Sequence, residues 1–214
     1  MQIQWLGQSH FKIQTKNNGQ EVIIAMDPYD ESIGLKPSKY QADIVTVSHG
    51  HSDHNNIESI KGEPFVITEP GEYETKGVFI YGIPGFHDDK QGKEKGNIVI
   101  YKIHSEDMNI VHLSDLGCEL TDEQLEKIGD VDVLFAPVGG GPTIDAKKAN
   151  DIVSAIEPRI VIPMHYNLPG LKIKLNSVED FAKVSGLPLE KTDKLKINKK
   201  DLPQNETKIV QLSI

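Results

Sequence analysis

His49, His51, Asp53 and His54 place four potential metal ligands in six positions, directly after the apolar run 44–47. Neutral imidazole nitrogen and carboxylate oxygen together suit zinc, with iron and manganese as borderline alternatives, and the chemistry alone does not choose among them. Read only as turn residues, Gly50, Ser52, Asp53 and Asn55 would make an ordinary polar loop; three histidines and an aspartate so close together disfavour that reading. The same layout, an apolar run ending on a potential ligand, recurs three times. GVFIYGIPGFHD reaches His87, MNIVHLSD reaches Asp115 and PRIVIPMH reaches His165. If these run ends meet at one edge of a sheet, they sum to five histidines and two aspartates. That is too many for one tetrahedral zinc and suits two metals sharing a carboxylate.

Strands must do the positioning. IQWLG, HFKIQT, EVIIAMD, DIVTVS, PFVIT, GVFIYGI, NIVIYKI and MNIVHL are short apolar or alternating runs punctuated by Gly, Pro, Asn and Asp, and each reads as a strand. Helix signals come later. Thr121 with Gln124 forms a capping-box pattern, Leu125 and Ile128 supply an apolar stripe, and Gly129 is a stop. VDVLFAPV follows as a strand. From Asp145, the residues Ala149, Ile152, Val153 and Ile156 recur at helical spacing with Pro158 just beyond. PRIVIPM is a strand, a third helix runs from about Ser177 to Gly186, and TKIVQLSI is a closing edge or sheet strand. The order predicts one layered α/β domain over residues 1–214, sheet packed on sheet with helices outside.

The bulk properties narrow the partners. A formal charge of −9 argues against a sequence-independent nucleic-acid surface, which needs clustered Lys and Arg. The single cysteine, Cys118, excludes an intramolecular disulfide. The start MQIQWLGQSHFKI lacks a basic segment followed by an apolar core, and no run approaches the roughly 18 apolar residues of a membrane span. The expectation is a cytoplasmic protein with a small-molecule substrate, no nucleic acid and no membrane, and with homo-oligomerisation open.

The H-x-H-x-D-H pattern at 49–54, followed by separated His, Asp and His, resembles the metallo-β-lactamase fold superfamily. WLGQSHFKI, IVHLSDLG and the block PVGGGPTIDAKKANDIVSAIEPRIVIPMHY look like the branch of metal-dependent hydrolases that includes ascorbate-6-phosphate lactonase. The likeness runs from residue 1 to about residue 185. It implies a four-layer αβ/βα sandwich with two divalent ions between the sheets, zinc first and manganese or iron as alternatives. His49, His51 and His87 would hold one ion, Asp53, His54 and His165 the other, and Asp115 would bridge them. A hydroxide shared by the ions would attack a lactone or ester of a small metabolite, phosphorylated in the named relative, with Asp53 orienting it or carrying a proton. The chain departs from the branch at Gln8, where His is frequent, and His10 stands two residues later.

Other candidates are weaker. The amides of the Gly139-Gly140-Gly141 stretch, Gly140 and Gly141 in particular, could cradle an anion at a helix N-terminus or only permit a turn. Tyr166 could donate to substrate, and Lys172 and Lys174 could reach a phosphate or stay solvated. His112 and Cys118 read as packing beside Asp115, and His10 and His104 as surface or strand residues. Two functions compete with the hydrolase: a mononuclear iron thiol dioxygenase sharing H-x-H-x-D-H, and a metal-binding protein without catalysis. A diiron oxidoreductase would carry Glu in place of His51 and a flavin domain for which the chain has no room.

Overall fold

Alternating burial along the first strands shapes the computed structural model, which describes residues 1–214. The first half contains β1 (Gln2–Trp5), β2 (Phe11–Asn17), β3 (Gln20–Met26), β4 (Tyr40–Gln41), β5 (Ile44–Thr46), β6 (Ile60–Lys61) and β7 (Phe65–Ile67). It continues through β8 (Gly71–Thr75), β9 (Val78–Phe86), β10 (Asn97–Ser105) and β11 (Met108–His112). Helices then alternate with strands: α1 (Asp122–Ile128), β12 (Val133–Pro137), α2 (Ala146–Ile156), β13 (Ile160–Met164) and α3 (Val178–Ser185). The chain closes with β14 (Leu189–Thr192), β15 (Leu195–Lys196) and β16 (Lys208–Leu212).

One sheet has the order β15-β1-β2-β3-β5-β7 and the other β14-β16-β13-β12-β11-β10-β9-β8; β4 and β6 pair separately. Every residue of β12 and β13 is buried, as expected of parallel strands covered on both faces. The cleft between the sheets is filled by apolar side chains from both, and Phe11 of β2 stacks on Phe135 of β12 with ring centroids 3.9 Å apart. The Tyr101 hydroxyl is shared between the carbonyls of Val47 at 2.9 Å and Ile67 at 3.1 Å, tying the second sheet to the ends of β5 and β7.

The helices follow their signals. Thr121 and Gln124 cap each other reciprocally at α1, and Asp145 accepts from the Lys148 amide at the start of α2. All three α-helices fall in the half of the chain that builds the second sheet. The α/β sandwich therefore has unequal covers. Over the first sheet, Ala25, Val45 and Val47 are packed by Ala42 and Ile60, from the β4–β6 region, and by Ile57 of a short 3-10 turn, instead of by an α-helix. The segment 27–64 has no helical periodicity and contains Pro28, Pro37 and Pro64. The terminal strand is not an edge: β16 lies between β13 and β14. No helix is long and apolar enough to cross a membrane.

Strand direction decides where the ligands arrive. β1, β3 and β5 run the same way in one sheet. So do β9, β11, β12 and β13 in the other. Their C-terminal ends meet at one edge, where the Val99 amide donates to the Ser48 carbonyl across the sheets at 2.9 Å. The opposite edge is closed by three two-residue hairpins, Asn18-Gly19, Lys76-Gly77 and Glu106-Asp107. Both residues of each turn have positive φ, the geometry that matches the twist of paired strands.

Candidate metal centre

The seven predicted ligands converge on that edge in two groups. His49, His51 and His87 form one, and Asp53, His54, Asp115 and His165 the other; within each group the ligand atoms lie within 4.8 Å of one another. Asp115 stands between them. Its Oδ1 is 3.2 Å from His54 Nε2, and its Oδ2 is 3.4 Å from His87 Nε2 and 3.3 Å from His165 Nε2. His54 Nε2 and both ring nitrogens of His165 are buried, yet none has a partner in hydrogen-bond geometry. His54 Nε2 and His165 Nε2 both face the Asp115 carboxylate, as donors to a coordinated cation would, whereas in the first group His49 Nε2 meets His51 Nδ1 at 3.0 Å.

A network of buried polar groups sets the imidazoles. Asp27, at the end of β3, accepts from His54 Nδ1 at 2.9 Å, from the Ser48 amide at 2.8 Å and from the Ser48 hydroxyl at 2.6 Å. The Nδ1 proton of His54 is thereby committed; burial lowers the ring's pKa but Asp115 and Asp27 raise it well above the usual value, so a cation would take Nε2 in place of a proton. The Ser48 hydroxyl, having given its proton to Asp27, accepts from His49 Nδ1 at 3.0 Å, which leaves His49 Nε2 as the acceptor facing His51 Nδ1 at 3.0 Å. One carboxylate thus orients a ligand in each group. Burial pushes the Asp27 carboxyl up, but the His54 ring and the Ser48 hydroxyl outweigh it and hold it below the usual carboxylate range. Burial lowers His49 to about 3 and also lowers His87, leaving both neutral as ligands must be. Burial likewise opposes ionisation of Asp115, and the neighbouring His165 and His54 rings pull it well below the ordinary range.

The turn between β1 and β2 supports the second group. Gln8 Nε2 donates to Asp53 Oδ2 at 3.0 Å, and the Ser9 hydroxyl donates to Asp115 Oδ1 at 3.4 Å. His112, packed beside Asp115 as expected, accepts from the Ser114 amide at Nδ1, so its Nε2–H donates to the Ser9 carbonyl at 2.9 Å. Gln8, Asp27, Ser114 and His165 all take positive φ without being glycine, a conformation the surrounding contacts must impose.

Two glycines let these segments approach. A Cβ on Gly117 would lie 2.2 Å from the His87 carbonyl oxygen, and one on Gly139 would lie 2.2 Å from that of His165. Gly139→Ala should therefore displace the His165 backbone, costing about 1–3 kcal/mol of stability and weakening ion binding. Denaturant unfolding and a zinc titration of the same variant check both.

Other expectations are corrected. The Gly140 amide donates to the Ile144 carbonyl at 3.2 Å and the Gly139 amide to the His165 carbonyl at 3.0 Å, so neither is free to cradle an anion. The N-terminus of α2 is filled by its own Asp145 carboxylate, and Gly141 is an exposed turn residue with φ 68°. Tyr166 is 2% exposed, its ring 4.8 Å from Trp5, and burial raises its hydroxyl pKa to about 12; it belongs to the core. Lys172 and Lys174 are exposed. His10 is fully buried: its Nδ1 donates to the Met26 carbonyl at 2.8 Å and its Nε2 meets the Tyr40 hydroxyl at 3.2 Å. Asp27, Ser48 and Gln8 were not anticipated as parts of the centre. Asp27 carried a signal, since EVIIAMD also ends an apolar run on a potential ligand.

Beside His49 lies a groove of about 490 Å³, with Val47, Phe86, Ile98 and Val99 among its apolar lining and Asn55 and Asn97 among its polar lining. Its one carboxylate is Glu69.

A family model described as a beta-lactamase superfamily domain matches residues 2–165. A UPF0173 metal-dependent hydrolase of Staphylothermus marinus is 33% identical over 193 residues, spanning 77% of this chain and 83% of its own. Another from Thermococcus onnurineus is 27% identical over 195 residues, spanning 78% and 85%. Among solved structures, a Thermotoga maritima protein inferred to be a Zn-dependent hydrolase of the metallo-β-lactamase superfamily matches with a TM-score of 0.80 and 32% identity, covering 100% of both chains.

Proposed function

The chain belongs to the beta-lactamase superfamily domain family and is a metal-dependent hydrolase, and from that premise we propose that it works with two ions on a small lactone or ester. The observation that carries this reading is the placement of Asp115 between the two ligand groups, within 3.4 Å of imidazoles from both. His49, His51 and His87 would hold one ion, Asp53, His54 and His165 the other, and Asp115 both. Zinc comes first, on the imidazole-rich donor set and on the Zn dependence inferred for the Thermotoga relative. When bound, a pair of such ions lowers the pKa of a shared water toward neutrality and polarises the bond to be cleaved.

The chain's own residues do the rest. Asp27 and Ser48 hold the His54 and His49 rings with lone pairs facing the centre. Asp53 keeps its side chain partly exposed, 16%, so its carboxylate can meet both the centre and an arriving substrate and pass a proton to the leaving group. The groove beside His49 is of small-molecule size, and a lining of apolar groups, amides and one carboxylate suits an uncharged portion of the substrate better than a phosphate.

Metal analysis by inductively coupled plasma mass spectrometry, on protein purified without chelators, tests the reading. About two zinc or manganese ions per chain are expected; about one iron per chain, with oxygen-dependent thiol oxidation, would overturn it. Asp53→Ala should lower turnover on a lactone and ester panel by about 10²–10⁴-fold. Full turnover with both ions retained would remove Asp53 from catalysis, and a panel without any metal-dependent turnover would count against an enzyme.

A further inference from the structure

We propose that Gln8 is a positioning residue that aims the Asp53 carboxylate and so sets the affinity of the second ligand group for its ion, leaving the first group untouched. This rests on the two-ion reading above. Gln8 is fully buried, and its Nε2 stands 3.0 Å from Asp53 Oδ2. Of the side chains in the structure, it is the one that donates to Asp53 outside the imidazoles of the cluster. An ionised carboxylate only accepts, so the amide must face Asp53 with its NH₂ end. Its Oε1 is then left buried without a partner. A glutamine kept in that state, on a backbone with φ 51°, is held there by other contacts.

Those contacts lead back to the same group. The Gln8 carbonyl accepts from Trp5 Nε1 at 2.9 Å and from the His165 amide at 3.1 Å. Gln8 therefore grips the backbone of one ligand, His165, and the carboxylate of another, Asp53. Ser9 adds its hydroxyl to Asp115. Gln8 itself bonds none of His49, His51 and His87, whose hydrogen-bonded support is the Ser48 hydroxyl on His49 and the contact of His49 Nε2 with His51 Nδ1. The effect is accordingly one-sided.

The test is a titration of metal-free protein with zinc against a chromophoric chelator, with thermal unfolding of the metal-free form alongside. Gln8→Met keeps the bulk and removes the donor. One of the two binding phases should weaken by about 10–100-fold, the usual scale for loss of a ligand's supporting partner, while the other is unchanged. Gln8→His, whose ring N–H can donate, should restore much of the loss. Unchanged affinity in both phases overturns the proposal. So does equal weakening of both phases with a lowered melting temperature, which marks a merely structural role. If wild-type protein binds a single zinc, the two-ion reading fails on its own; the positioning role then stands if Gln8→Met weakens that ion and falls if it does not. Should Gln8→Met not fold, Gln8→Glu sets a second carboxylate against Asp53 in the same volume and should weaken the same phase.

Discussion

Asp115→Asn is expected to remove at least one ion per chain and to lower turnover by about 10³-fold or more, the scale on which a single preorganised electrostatic group acts. The substitution keeps size and shape. What changes is the charge, and the replacement of one oxygen by an NH₂ group whose protons would point at imidazole lone pairs. Asp115 is 2% exposed and its two oxygens face three imidazoles and the Ser9 hydroxyl, so no water can take over. An ion that binds only the folded chain stabilises it by RT ln(1 + [L]/Kd), so saturating zinc should raise the wild-type melting temperature far more than that of the variant. Metal content, kcat/KM on the best substrate of the panel, and melting with and without zinc are the measurements. Two ions retained with turnover within tenfold of wild type would sink the bridging role.

Asp27→Ala comes next and acts on folding as well as on the centre. It removes the acceptor for His54 Nδ1, the Ser48 amide and the Ser48 hydroxyl in a fully buried place. Each orphaned group costs about 1–3 kcal/mol, and an alanine cannot fill the volume, so a total loss of about 3–5 kcal/mol is expected. His54 then loses the bond that fixes which nitrogen carries the proton, and the Ser48 hydroxyl loses the acceptor that turns its lone pair toward His49. Zinc affinity should consequently fall in both binding phases by about 10–100-fold, which distinguishes this variant from Gln8→Met. Asp27→Asn, which preserves volume and one acceptor, should recover most of the stability in denaturant unfolding and less of the zinc affinity. Loss in one phase only would show that Ser48 orients His49 without Asp27.

The ligands were legible because their chemistry is rare and their placement is local. An apolar run stopping on His or Asp announces a side chain at a sheet edge, and the seven residues needed nothing else to be listed. Their supports were harder to read. Gln8 has no distinctive chemistry, and its meaning comes from a carboxylate 45 positions away in the chain. Asp27 precedes Pro28 and so also looks like a strand-end turn residue. Tyr166 and the glycines misled for a related reason. Tyr166, next to His165, points into the core against Trp5, and the Gly139 amide is engaged by a carbonyl 26 positions along the chain. Among the strands, β8 (GEYET) shows no apolar face and has no fully buried residue; its pairing with β9 makes it a strand. The helices were legible in full because Thr121, Asp145 and Ser177 mark their starts and Gly129 and Gly186 two of their ends.

The three tight hairpins at the far edge restrict changes of length in a way that the ligand edge does not share. A two-residue turn with both residues at positive φ has no slack: one inserted residue would shift the register of β2 with β3, of β8 with β9, or of β10 with β11, and turn core side chains toward solvent. Loops at the ligand edge are fastened in another way: the Asp88 carboxylate accepts from the amides of Lys90, Gly92, Glu94 and Lys95, and the His87 amide donates to the Gly96 carbonyl. A change of length on that rim is therefore governed by which of these bonds it keeps, whereas the far rim loses its register at the first inserted residue.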